Sequence, residues 1–346
     1  MNTTTKMKRI LLILCCVSSV VLHSCSTDVD LYANYEQRPV VYGLLDANAD
    51  TNFIKIARSF SVMGDSYQSA ADPDSNNYPG RLDARLIEYR NGNFAREIIL
   101  DTITLHNKKP GTFYAPGQKL YYTTEPLTMN TNNMDVRYTL KAVLPDRDLT
   151  TETALVGSRK FGVQSLGVNF AKEYFGKERT FLFHPAPNAE FYEISMTFHF
   201  MEQYTPAGDS VPRTMLWELG TFTDSEFAAT MSGESYVFRY RPETFWIALE
   251  QFLGADTIGV TRRFFGDHPV EFTIKAGGEN LWKYMYFNEV LNGANTGEDT
   301  FSLIDGGYGV FSSRMTAKRR LGLAGRTVPD LLEKTNWGFK FIGGEN

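Results

Sequence analysis

Short stretches in which apolar and polar residues alternate recur through the first 160 residues, and they restrict the chain to a β-rich fold. Asn52-Phe53-Ile54-Lys55-Ile56-Ala57-Arg58 has the two-residue period of a strand with one buried face. Pro39 to Leu45 is a short apolar run bounded by turn formers. Leu82 to Arg90 alternates again and meets Asn91-Gly92, a hairpin-turn pair, with Phe94 to Leu100 as the return strand. Lys119–Thr123, Val136–Leu144 and Glu152–Val156 continue the pattern, and Gly64 to Gly80 reads as a long polar surface loop. About seven short strands with turns between them predict an immunoglobulin-like β-sandwich over residues 37–160.

Residues 165–346 mix the strand and helix periods. Glu190 to Gln203 reads as a strand, with Val211–Leu219 and Tyr236–Tyr240 as partners and Val270–Ile274 and Tyr308–Ser312 as further strands. A helix is predicted from Pro242 to Gly254, because Phe245, Leu249, Phe252 and Leu253 share a face between a first-turn proline and a terminal glycine. Leu281 to Leu291, closed by Asn292-Gly293, and Pro329 to Lys334 complete the helices. The expectation is a mainly β protein: the sandwich plus a C-terminal α+β domain with a sheet core and a few peripheral helices.

Cysteine positions add a location. Lys6, Lys8 and Arg9 precede an apolar run from Ile10 to Leu22, too short to span a bilayer core. The run ends in Leu22-His23-Ser24-Cys25, which resembles the lipobox of bacterial lipoproteins. Residues 1–24 therefore read as a signal peptide, Cys25 as the diacylglycerol-bearing cysteine, and residues 25–36 as a lipid-anchored tether. Cys15 and Cys16 leave with the leader, so no internal disulfide is available and the body must be stable through its core alone. Asp28 and Asp30 resemble the acidic export signal that sends Bacteroidota lipoproteins to the outer face of the outer membrane. With 35 basic and 40 acidic residues, the chain lacks the basic surplus of a nucleic-acid binder.

Several motifs resemble a Bacteroidota outer-membrane lipoprotein family known only as a domain of unknown function. They are Arg38-Pro39-Val40-Val41-Tyr42-Gly43-Leu44-Leu45, then Phe53 to Ser59, then Pro187-Asn188-Ala189-Glu190-Phe191-Tyr192, and late in the chain Phe301 to Phe311. Asp305-Gly306-Gly307 stands where that family more often has Glu-Asn-Gly. The resemblance implies an outer-membrane lipoprotein, and it carries no catalytic residues.

Catalytic signatures are weak. There is no Gly-x-Ser-x-Gly elbow. Gly64-Asp65-Ser66 and Gly208-Asp209-Ser210 match the start of a lipase-esterase motif but sit in turn-rich stretches, and the late His268 follows Asp267 directly. His106, His184, His199 and His268 form no zinc-ligand spacing. Asp46, Asn48 and Asp50 alternate oxygen ligands as a calcium loop does, yet Thr51 replaces the needed glycine and Ala57 the bidentate glutamate, so a hairpin turn explains them too. No other cofactor is expected. Gly307-Tyr308-Gly309 reads as a close backbone approach rather than a phosphate loop. The basic group Arg314, Lys318, Arg319, Arg320 and Arg326 reads as a solvated face or as a contact for anionic headgroups or an acidic partner. Thr102, Ser210 and Thr257 lie in Asp-Ser/Thr-Ile/Val tripeptides of the Bacteroidota O-glycosylation type.

Aromatic residues make up 14% of the chain, which suits either a disulfide-free core or a surface that stacks on sugars or on a partner. The expected function is that of an outer-membrane lipoprotein, facing the cell surface or the periplasm, that serves as a binding or accessory module for an outer-membrane barrel protein. The alternatives are a glycan-binding lipoprotein and a hydrolase with a dispersed site.

Overall fold

The computed structural model describes residues 37–59, 70–111, 114–204, 208–254, 259–294 and 302–340. The protein is mainly β. In chain order the strands are β1 (Pro39–Leu45), β2 (Asn52–Arg58), β3 (Asp83–Arg90), β4 (Asn93–Ile99), β5 (Asp101–Leu105), β6 (Gln118–Thr123), β7 (Val136–Val143), β8 (Asp148–Ala154), β9 (Gly162–Val163), β10 (Gly167–Val168), β11 (Arg179–His184), β12 (Phe191–Gln203), β13 (Val211–Thr223), β14 (Tyr236–Tyr240), β15 (Thr261–Phe264), β16 (Val270–Gly277), β17 (Tyr308–Leu323) and β18 (Phe339–Lys340).

In the first half, β1, β2, β6 and β5 lie side by side, and a separate sheet runs β4-β3-β7-β8. The two face each other across one core, to which Val41, Leu45, Ile54, Ile56 and Tyr121 contribute from the first and Leu86, Ile98, Tyr138 and Leu140 from the second. Asn91 and Gly92 both take positive φ, 50° and 78°, which fits the right-handed twist of the β3–β4 hairpin.

The second half packs β12 and β16 against the small sheet β14-β11-β9 and the helix Pro242–Leu253. Every second residue of β12 from Ile194 to Phe200 is buried, as its alternation requires. This core is built from rings: Phe181 lies 4.5 Å from Phe272 centroid to centroid, and Phe170 stacks on Phe245 at 4.3 Å. Most of the aromatic surplus is therefore core packing.

A single long strand joins the halves. β17 pairs in parallel with β1 from Tyr308 to Ser313, then antiparallel with β16 from Arg314 to Leu321. The sheet thus runs without a break from β13 at one edge through β12, β16, β17, β1, β2 and β6 to β5. Gly309, at φ 105°, permits the join, because a Cβ there would collide with the Val41 carbonyl oxygen. The glycine-rich motif is thus a close backbone approach.

Three differences from the sequence expectation have physical causes. The strand expected to stop at Ser312 runs on to Leu323, and the basic residues Arg314, Lys318 and Arg320 alternate along its outer face while Met315 and Leu321 face the core. The helix Asp224–Ala228 was not expected, although its capping box, Thr223 with Glu226, is legible. A short helix, Pro73–Asn76, interrupts the polar stretch between Gly64 and Gly80.

Candidate functional site

The continuous sheet has one outer face, and the helix Glu279–Ala294 lies across its middle. The helix is seated where β17 and β1 meet. The Gly278 amide donates to the Ser313 carbonyl at 3.0 Å and the Leu281 amide to Ser312 Oγ at 3.1 Å. The Asn280 amide group donates to the Phe311 and Glu152 carbonyls, both at 3.0 Å. Further along, the Tyr284 and Tyr42 hydroxyls meet at 3.3 Å. Burial, and then the contact with Tyr42, push the Tyr284 phenol above its ordinary range.

On the β13 side the outer face is polar. Glu193, Ser195 and Thr197 of β12, Glu271, Thr273 and Lys275 of β16 and Arg314, Thr316 and Lys318 of β17 floor a depression of about 730 Å³, walled by Leu281 and Met285 of the helix. The floor is cross-paired: Lys275 bonds Glu193 at 3.3 Å, and Glu271 takes Lys318 at 3.3 Å and Arg320 at 3.7 Å. Glu218 and Arg314, also lining it, form no ion pair among the described residues.

On the β1 side the outer face is aromatic. Tyr42 of β1 stands opposite Lys55 of β2, and Phe53 stands opposite Tyr122 of β6, the rings 6.1 Å apart. Ile103 of edge strand β5 is exposed beyond them. The helix adds Met285, Tyr286, Phe287 and Val290, all exposed. Exposed apolar side chains clustered in this way mark a surface that meets another molecule.

His199 lies on the polar side, on β12. Its Nδ1 is 3.4 Å from Thr214 Oγ1, and its Nε2 is buried without a hydrogen-bond partner. Burial, then Arg320 and Lys318, hold its pKa below the ordinary histidine range against the pull of Glu271. Glu271 is engaged by Lys318 and Arg320, and among the described residues no carboxylate orients the imidazole. Among the described residues no hydroxyl, imidazole and carboxylate form a hydrogen-bonded chain of the kind that activates a nucleophile.

The remaining sequence candidates separate. Asp46 is spent on its own turn: its carboxylate accepts the Asn48 amide at 2.9 Å and its amide donates to Asn52 Oδ1 at 2.7 Å. The Asn48 side chain donates to the Thr316 carbonyl, and Asp50 is exposed. No group of three or more His, Cys, Asp or Glu suited to a metal occurs among the described residues. Thr102 is half-buried on β5 and its amide is taken by Asp101, whereas Ser210 is exposed just before β13. His268 and Asp267 are exposed between β15 and β16. Cys25, Asp28, Asp30, Thr257 and the Gly64-Asp65-Ser66 tripeptide lie outside the described residues.

Sequence reasoning missed the outer face as a site. The signal was the helix itself, whose apolar residues at 281, 282, 284, 285, 286, 287 and 290 cannot all face one sheet.

No protein-family model and no curated protein matches the chain.

Proposed function

We propose that this protein is a lipid-anchored binding module of the bacterial outer membrane, which serves a membrane-embedded transport or assembly protein and performs no chemistry of its own. Its address is read from the basic leader, the Leu22-His23-Ser24-Cys25 ending with Cys25 as lipid carrier, and the acids Asp28 and Asp30. The motifs that resemble those of Bacteroidota lipoproteins favour the same reading, as does an immunoglobulin-like reading of the two facing sheets.

The observation that carries the binding reading is the outer sheet face. It offers a broad polar trough and an adjoining aromatic surface, with a helix between them whose apolar residues are left in solvent. Monomeric proteins rarely expose such contiguous apolar area unless it meets a partner.

The test is extraction of the intact membrane form in mild detergent. The expected result is a discrete complex with a barrel protein on native electrophoresis. A solitary monomer contradicts the reading.

A second reading is glycan binding, favoured by the exposed rings of Tyr42, Phe53 and Tyr286. It predicts glycan-array hits that the Phe53→Ala variant loses.

A further inference from the structure

We infer that the aromatic half of the outer sheet face seats a protein partner whose apolar surface carries a carboxylate placed over Lys55. The inference rests on the binding-module reading and names the chemistry of the partner.

Lys55 stands at the centre of this half. Tyr42 faces it across the β1–β2 ladder, Phe53 is two residues away on the same face, and Tyr122 lies opposite Phe53. Among the described residues no carboxylate pairs with the Lys55 ammonium. The charge that acts on it is Lys108, of the same sign, and burial together with Lys108 lowers its pKa. A half-buried ammonium without a counterion is costly, and a carboxylate arriving beside Tyr42 and Phe53 offsets that cost. Tyrosine is also among the side chains enriched in protein–protein hot spots.

A bilayer would be matched by the opposite arrangement. Interfacial surfaces put apolar side chains at the centre and cations at the rim, where the ammonium reaches headgroups. Here the cation lies within the apolar surface, with Tyr42 and Phe53 beside it, on the flat of a sheet rather than at a loop tip. The exposed Tyr286 and Phe287 continue the surface through the Tyr284–Tyr42 contact.

The test uses the full-length chain in native membranes. Carbodiimide, a zero-length coupler of amines to carboxylates, is applied, and cross-linked peptides are sequenced by mass spectrometry. The expected product joins Lys55 to an Asp or Glu of a different polypeptide. In parallel, a benzoylphenylalanine photoprobe at position 42 is expected to capture that same polypeptide, with the yield falling about tenfold in Lys55→Glu and surviving in Lys55→Arg. Capture of a second copy of this chain, capture of lipid, or a yield indifferent to Lys55→Glu overturns the inference. The same probe placed at Thr197 in the polar trough separates the two levels. Capture there but not at position 42 leaves the binding reading standing without this surface, and capture at neither position overturns both.

Discussion

The hydroxyls of Tyr42 and Tyr284 meet at 3.3 Å, and their rings stand nearly perpendicular at 80°. One belongs to β1 and the other to a helix 242 positions later in sequence, so this contact helps fix the helix over the seam where β17 joins the two halves. Tyr284→Phe removes one hydrogen bond and is expected to cost about 0.5–1.5 kcal/mol. Tyr284→Ala removes the ring as well and should raise amide exchange over residues 279–290 while β12 stays protected. Denaturant titration and hydrogen exchange check both outcomes.

Two glycines with positive φ should respond differently. Gly92 has open space around it, so Gly92→Ala costs about 1–2 kcal/mol, the penalty of a left-handed alanine. Gly309 has the same problem and also abuts the Val41 carbonyl, so Gly309→Ala should cost roughly 3 kcal/mol or more as β17 is forced from β1. Equal costs would show that the parallel β1–β17 join is not a close approach.

Glu88 is fully buried between Arg90 and Arg96, each at 2.7 Å, and accepts the Tyr138 hydroxyl at 2.7 Å. Burial works to raise its pKa, but hydrogen bonds from Tyr138, Arg96, Thr128 and Arg90 outweigh burial and hold it below the ordinary range. The Tyr138 phenol, buried beside that carboxylate, is pushed up to about 12. Glu88→Ala leaves Arg96 and Tyr138 facing a void and should cost about 3–5 kcal/mol. Because the folded pKa is depressed, the carboxylate stabilises the fold above the unfolded glutamate pKa. That stability is lost as the pH falls towards the folded value. A Glu88→Gln variant should therefore show a flatter acid limb in denaturant midpoints as the pH falls below about 5.

His199 gives a second pH signature, nearer neutrality. Its pKa in the fold is lowered, so the unfolded chain takes up the proton first as the pH falls. Stability is full above the ordinary histidine range and declines as the pH drops through it. The His199→Gln variant should lose that part of the slope and leave the Glu88 limb intact. Identical slopes in variant and parent would place the imidazole in an unperturbed, solvated setting.

Much of the fold was legible in the sequence because its signals are local. The Asn91-Gly92 turn, the alternation in Asn52–Arg58 and the Pro242–Gly254 helix each decide a structure within a few residues. The join between β1 and β17 was not legible, since parallel pairing leaves no mark at either strand beyond a glycine with a close neighbour. The same reason hid the site. Tyr42, Lys55 and Tyr122 are unremarkable on their own strands and form a surface once β1, β2 and β6 lie side by side. Lys318 and Arg320 read only as part of a basic solvated face or contact, and strand pairing set them against Glu271 of β16.

The account stands most directly on whether the outer sheet face is covered in the native membrane. The chain's three cysteines all lie at or before residue 25, so a cysteine introduced in the body is unique there. Phe53→Cys and Thr197→Cys would probe the two halves of the face, and Glu234→Cys, on an exposed position near β14, would serve as control. Labelling rates with a maleimide reagent are measured in intact membranes and again on the purified protein. The account predicts slower labelling at 53 and 197 in membranes than after purification, with no change at 234. Equal rates at all three positions in both preparations would contradict it.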